Sequence, residues 1–184
     1  MKGLCKRFIA CIVAVIIAAI SAIPAGAASS QGFVYEVISG SASVRITGYN
    51  GADANVVIPD ILDGRSVVEI SSGAFASNTA IKSVTVSSHV QRIMKEAFIG
   101  CSSLETVVIP ASVASIGDSA FADCVSLKDV TISSSYTSIG YYAFDGCTSL
   151  ESITIPSTKI GYAAFRNCTS LINIRLLDSV QSVG

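Results

Sequence analysis

The chain has few residues of the kinds on which enzymes rely. Only 14% of its 184 residues are charged, and it has a single histidine, His89, for which the sequence pattern places no partner. No serine–histidine–acid arrangement can be recognised, and the acidic residues are mostly single and scattered rather than paired for acid–base work. We therefore predict no catalytic residues and a protein that is not an enzyme.

The sequence also has no apolar run long enough for a transmembrane helix. A basic start with Lys2, Lys6 and Arg7 precedes an uncharged, mostly apolar run over 8–20, which is shorter than the roughly 20 residues that a membrane span requires. Small residues at 25–27 then match what a signal peptidase reads. We expect residues 1–27 to be a secretory signal peptide, with a membrane anchor as the alternative. This predicts a secreted or cell-surface protein with no stable membrane span after signal cleavage.

Basic residues are not in excess, and removal of the signal peptide makes the chain acidic. The 12 basic residues include three within 1–27, whereas all 13 acidic residues lie beyond it. The mature chain would carry nine basic and 13 acidic residues, a formal charge of −4. A chain without a basic patch cannot neutralise phosphates, so nucleic acid is not a predicted partner.

An alanine–phenylalanine pair recurs at a nearly constant interval. The phenylalanines are 23, 23, 23 and 21 residues apart, at Phe75, Phe98, Phe121, Phe144 and Phe165. Such a period marks one supersecondary unit stacked many times. One repeat buries too few apolar side chains to offset the entropy of ordering it, so neighbouring repeats must share a core.

Within one copy, Leu104, Val107 and Ile109 have the strand-forming spacing of leucine-rich repeats. Val113 and Ile116 follow as inward positions, and the segment 118–123 has room for a short helical turn. We predict a repeat solenoid: a leucine-rich-repeat-like, β-rich coil with a parallel sheet on one face and short helical turns on the other.

Four cysteines remain after residue 27, each three residues after the phenylalanine of its repeat: Cys101, Cys124, Cys147 and Cys168. An even count in a secreted protein is typical of disulfides, and four thiols suit zinc. In the first repeat, however, the same slot holds Asn78, and no two cysteines are closely spaced. The pattern favours buried free thiols, with disulfides or a metal as open alternatives, and we predict no metal site and no cofactor.

These residues resemble the BspA-like, or Treponema-type, leucine-rich repeat family. The third copy carries the family's motif nearly throughout: Ile109-Pro110, Ser112-Val113, Ile116-Gly117, Ala120-Phe121, Cys124 and Leu127. The resemblance covers about residues 57–184. It implies a bacterial protein that is secreted or surface-exposed and serves in adhesion or in binding host or environmental macromolecules. It implies no shared catalytic residues.

The two ends of the array differ. Residues 28–56 are predicted to form an N-terminal β-rich cap, with strands at 33–37 and 44–47, because a solenoid must cover its first hydrophobic face. Residues 57–184 hold about five repeats and a truncated sixth that lacks its Ala-Phe and Cys elements. This truncation leads us to expect a fragment of a longer protein.

Outward positions of the predicted strands give a candidate ligand surface, because side chains alternate along a strand. These residues are Thr85, Thr106, Asp129, Thr131, Thr154 and Arg175. A solubilised sheet face is the structural alternative. Beside this surface, Lys82, Glu105, Lys128 and Glu151 alternate in charge within one slot, which predicts pairing between neighbouring coils.

A secondary candidate is an aromatic group formed by Tyr141, Tyr142 and Tyr162, which suits sugars or proteins but would equally cover the back of the coil. The main interpretation is a binding or adhesion module for an extracellular protein or glycan. The alternatives are a passive spacer presenting a missing C-terminal enzyme or anchor domain, and a carbohydrate-binding module.

Overall fold

The computed structural model describes residues 32–133, 137–155, 159–176 and 182–183. The predicted signal peptide and, in the sixth copy, residues 177–181 and 184 lie outside the described residues. In the part that is described, no helix has the length and apolar character needed to cross a membrane.

Each coil of the chain contributes strands to a β-solenoid. The strands are β1 (Phe33–Val37), β2 (Ser43–Tyr49), β3 (Asn55–Val57), β4 (Ile61–Leu62), β5 (Arg65–Ile70), β6 (Ser83–Thr85), β7 (Arg92–Ile93), β8 (Thr106–Ile109), β9 (Ser115–Ile116), β10 (Asp129–Ile132), β11 (Ser138–Ile139), β12 (Ser152–Ile155), β13 (Lys159–Ile160), β14 (Asn173–Leu176) and β15 (Ser182–Val183).

These strands form three sheets. The first sheet has the order β1-β2-β5-β7-β9-β11-β13-β15, with β4 beside β5; the second is β10-β8-β6-β3, and the third is β12-β14. Pairing is parallel from coil to coil, while β1 and β4 run antiparallel to their neighbours. The predicted parallel sheet is therefore confirmed, and it is accompanied by another parallel sheet on a second side of the coil.

Alternation of apolar and polar residues explains the strands of the second and third sheets. In β8, Val107 and Ile109 are buried and Thr106 and Val108 face outward. The strands predicted over 33–37 and 44–47 correspond to β1 and β2. Whether the segment 28–56 serves as a cap stays a prediction.

The helical turns expected opposite the sheets are replaced by hydrogen-bonded turns, and no helix occurs among the described residues. Ser119 and Asp123 have φ of 53° and 59°, outside the right-handed helical region. Amide groups alternate between two kinds of partner. Ala120 and Ala122 donate to carbonyls three residues earlier, whereas Ser119, Phe121 and Asp123 donate to the next coil over 2.7–2.8 Å. This side, the turn face, is thus held by bonds between coils.

The phenylalanines stack through the interior as one column. Centroids of successive rings from Phe75 to Phe165 are 4.7, 5.1, 5.3 and 5.4 Å apart, and the last three pairs lie within 5° of parallel. Tyr49 continues the column at 5.5 Å from Phe75, and Phe33 follows at 5.0 Å from Tyr49. The aromatic core of the repeats therefore extends into β1 and β2, a continuation that the repeat period did not predict.

All four described cysteines are free thiols, as the pattern favoured. Each Sγ donates to the carbonyl of a phenylalanine in the preceding coil, over 3.0 to 3.2 Å. Asn78, in the equivalent slot of the first repeat, uses its Oδ1 to accept from the amides of Ala80 and Ile81. The slot therefore satisfies backbone groups in two ways: a cysteine thiol donates to a carbonyl, and the asparagine side chain accepts from two amides.

Burial raises the pKa of the thiols. The pKa of Cys101 and of Cys168 is raised to about 11, and the pKa of Cys124 and of Cys147 is raised further.

Candidate functional site

The outer face of the second sheet carries two rows of side chains in register across β3, β6, β8 and β10. The first row is Asn55, Ser83, Thr106 and Asp129, and the second row is Val57, Thr85, Val108 and Thr131. Asp129 and Thr131 are exposed, while Thr85 and Thr106 are half-buried. From β6 to β10 each residue pairs with the residue 23 positions later, one period, whereas Asn55 and Val57 on β3 pair with residues 28 positions later.

The candidate ligand surface is divided between two sheets. β12 lies beside β10, yet no strand pairing joins these two described strands. Thr154 instead pairs with Arg175 across the third sheet, and both are exposed. Four of the six predicted residues thus share one continuous face, and the other two share the next.

Charge pairing on this side is sparser than the sequence predicted. Within the column of Lys82, Glu105, Lys128 and Glu151, all of which are described, one ion pair forms, between Lys128 Nζ and Glu105 Oε2 at 3.7 Å. Both of its side chains are largely exposed, so solvent screens the pair and its contribution is small.

A charged row that the sequence reasoning missed crosses the first sheet. Strand register places Glu36, Arg45, Glu69 and Arg92 in line on β1, β2, β5 and β7. Arg45 Nε lies 3.2 Å from Glu36, and Arg92 Nε lies 2.9 Å from Glu69, whose side chain is only 10% exposed. Glu69 and Arg92 are one period of 23 residues apart, so the repeat could have revealed this pair.

The structure brings the three tyrosines of the secondary candidate to the turn face. Tyr142 and Tyr162 contact each other edge to face, with ring centroids 5.8 Å apart and an interplanar angle of 88°. The Arg166 guanidinium lies 4.7 Å from the centroid of the Tyr142 ring. Tyr141 and Tyr162 are 57% and 61% exposed, so neither ring covers the core.

The spacing of these features agrees with a known class of repeat. The sequence model described as the BspA type leucine rich repeat region matches residues 68–184 in six copies. This chain belongs to the BspA-type leucine-rich repeat family. Proteins built from this repeat are in general non-enzymatic scaffolds that bind proteins.

Solved structures of bacterial leucine-rich repeat proteins are similar to this BspA-type chain. The leucine-rich repeat protein of T. pallidum is 31% identical, with a TM-score of 0.76 over 81% of this chain and 71% of that one. A leucine-rich cell surface protein from Faecalibacterium prausnitzii is 29% identical, with a TM-score of 0.71 over 87% of this chain and 45% of that one.

The pneumococcal vaccine antigen PcpA shares the fold at 22% identity, with a TM-score of 0.57 over 80% of this chain and 48% of that one. The chain thus spans less than half the length of two of these three proteins. No curated protein sequence matches it.

His89, which the sequence left without a partner, acquires one from the preceding coil of the BspA-type array. Its Nδ1 lies 2.8 Å from Asp60 Oδ1, and Ser88 Oγ lies 3.4 Å from the same oxygen. The side chains of His89 and Asp60 are each about half exposed. Ser88 contacts the carboxylate rather than the imidazole, so the three residues lack the order of a nucleophile–base–acid relay.

No group of three or more histidine, cysteine, aspartate or glutamate side chains in the described residues could hold a metal ion. Two shallow depressions lie at the N-terminal end, one lined by 40–42 and 63–65 and one beside the charged row of the first sheet. Neither touches the candidate ligand surface or the tyrosines.

Proposed function

We propose that this chain is a secreted or cell-surface, non-enzymatic module that binds an extracellular protein or glycan through the candidate ligand surface. Its layout is a signal peptide at 1–27, a β-rich cap at 28–56 and repeats over 57–184. Similarity to a cell surface protein of F. prausnitzii supports this placement.

The observation that carries the proposal is the register of the two outward rows. Each of β6, β8 and β10 presents at least one hydroxyl or carboxylate group, from Thr85 on β6, Thr106 on β8, and Asp129 and Thr131 on β10. Adjacent strands lie about 4.8 Å apart. A ligand lying along the axis would meet one polar group per coil. Many weak contacts on a preformed scaffold give affinity without a cavity, because the scaffold loses little conformational freedom on binding.

The surface can be tested with the variant Thr85→Ala/Thr131→Ala/Thr154→Ala. Purified extracellular matrix proteins and glycans are immobilised, and the affinity of the chain for each is measured by surface plasmon resonance. If each lost hydroxyl removes about 0.5–1.5 kcal/mol, the triple variant should bind at least about tenfold more weakly.

The matched control is Ser115→Ala/Ser138→Ala, which removes two outward hydroxyls in register from the first sheet. The control should bind like the parent. Equal affinity of the triple variant and the parent would refute the proposed surface. If no member of the panel bound, the passive spacer would become the better interpretation.

A further inference from the structure

We infer that the tyrosine cluster, defined as Tyr141, Tyr142 and Tyr162 with Arg166 and Asp145, is a binding site for a neutral saccharide. The site lies on the turn face, away from the candidate ligand surface, so it does not depend on the function proposed above.

Two of the tyrosines are placed by the repeat itself. Tyr141 and Tyr162 follow Gly140 and Gly161, which occupy equivalent positions in adjacent coils. A Cβ atom on Gly161 would come within 2.7 Å of the backbone at Gly140 and Tyr141, so the two coils approach closely here. The rings therefore emerge from neighbouring coils, along the axis of the solenoid.

The cluster is held in place before any ligand arrives. Arg166 binds the Asp145 carboxylate through Nη2 at 2.6 Å and Nε at 3.1 Å, and Asn167 Nδ2 donates to the same carboxylate at 3.1 Å. The guanidinium fixed in this way lies over Tyr142, which in turn contacts Tyr162 edge to face. Preorganised rings lose little conformational entropy when a ligand binds.

The hydroxyl groups of the cluster are free to bind a ligand. Elsewhere in the described chain, the hydroxyls of Tyr35 and Tyr49 each bond to an aspartate, Asp63 and Asp53 respectively. Those of Tyr141, Tyr142 and Tyr162 make no hydrogen bond to other described residues. Each is therefore available both as a donor and as an acceptor.

The chemistry of the cluster fits a pyranose ring better than a charged or purely apolar partner. Exposed aromatic faces pack against the C–H groups of a sugar, and free hydroxyls bond to its oxygens. The one cation at the cluster is paired with the Asp145 carboxylate, and the Asp118 carboxylate accepts from the Tyr141 amide at 2.8 Å, so no unpaired positive charge attracts an anion. A stable protein interface needs about 800 Å² on each partner with a buried anchor in a pocket, and three tyrosine rings provide less than that.

The experiment measures binding of three hexasaccharides to the purified protein: β-linked glucose and N-acetylglucosamine as neutral probes, and a uronic-acid oligomer as the charged probe. The chain has no tryptophan, and three of its six tyrosines are in the cluster, so tyrosine fluorescence serves as one readout and calorimetry as an independent second one. We expect a neutral probe to bind more tightly than the charged one. Tyr162→Ala should weaken that binding at least about tenfold, since a stacked ring contributes about 1.4 kcal/mol.

Three variants make the result specific. Tyr162→Phe keeps the ring and should retain most of the affinity, Tyr141→Ala should weaken binding, and Ser115→Ala on the first sheet, outside both proposed sites, should leave it unchanged. Because Tyr162 is exposed, its variants should melt at the temperature of the parent. The inference is overturned if no neutral probe binds at millimolar concentration, if the charged probe binds more tightly, or if neither alanine variant weakens binding.

Discussion

Replacing one phenylalanine in the middle of the interior column should destabilise the whole array. In Phe121→Ala, a fully buried ring is removed from between Phe98 and Phe144. Its centroid lies 5.1 Å from one neighbour and 5.3 Å from the other, so both stacking contacts are lost together. Because coils contact only their neighbours, the cavity also weakens the coupling between the two halves of the solenoid.

The magnitude follows from the burial and from the number of contacts. Loss of a buried phenylalanine with incomplete collapse of the cavity costs about 3–5 kcal/mol. Phe121 should lie towards the upper end of this range, since each aromatic pair adds about 0.5–1.5 kcal/mol beyond burial. Stability is measured by urea unfolding of the parent and the variant under the same conditions, followed by far-ultraviolet circular dichroism.

Phe165→Ala provides the matched control. Phe165 stacks on Phe144 at 5.4 Å but is only partly buried, so its removal should cost about half as much as that of Phe121. Phe121→Leu separates the contribution of apolar burial from that of ring stacking, because it retains most of the apolar volume and removes the stacking. If Phe121→Ala cost no more than Phe165→Ala, or left the unfolding curve unchanged, the shared core would not be what stabilises the array.

Two predictions concern the cysteines. In the folded mature chain, which lacks residues 1–27, Cys168 should react with a thiol reagent well before the other three cysteines, because it is the one that is only partly buried. After unfolding without reductant, four thiols per mature chain should react, since Cys5 and Cys11 lie within the predicted signal peptide; fewer than four would indicate disulfides. Stability should also fall as the pH rises from 9.0 towards 11, since burial raises the pKa of Cys101 to about 11 and the unfolded chain releases the proton first. The loss should be about 1.4 kcal/mol per pH unit for this thiol. Urea titrations of the parent and of Cys101→Ala measure it, and an equal slope in the two would contradict the assignment.

The solenoid and most of its core could be predicted because the repeat places equivalent residues next to one another. The slots of Val107, Ile109 and Phe121 recur in the five complete copies, and recurrence together with alternation predicts both the strands and the buried positions. The short parallel strands of the first sheet were harder to predict. Strands such as Ser115–Ile116 have two residues, too few to display alternation, and only their pairing with the next coil identifies them.

The prediction of helical turns was wrong, and the amino-acid composition of the turns does not indicate why. Residues 118–123 include good helix formers and no proline, yet Ser119 and Asp123 adopt positive φ without being glycine. That conformation is costly for such residues, and it is compensated by amides that bond to the next coil. A pattern of local propensities contains no information about a partner 22 residues away.

Part of the candidate sites could be predicted, and burial explains which parts. The same slot logic that predicted pairing along Lys82, Glu105, Lys128 and Glu151 applies to Glu69 and Arg92, one period apart on the first sheet. Only one contact, at 3.7 Å, forms in the exposed column, whereas Arg92 lies 2.9 Å from the nearly buried Glu69. In water, a solvated pair gains too little to hold two long side chains in one geometry, while a carboxylate removed from water needs its partner. The period therefore predicts which residues of neighbouring coils can meet, and burial decides whether they do. This is why Asp145, with its side chain 15% exposed, holds Arg166 in place over the Tyr142 ring.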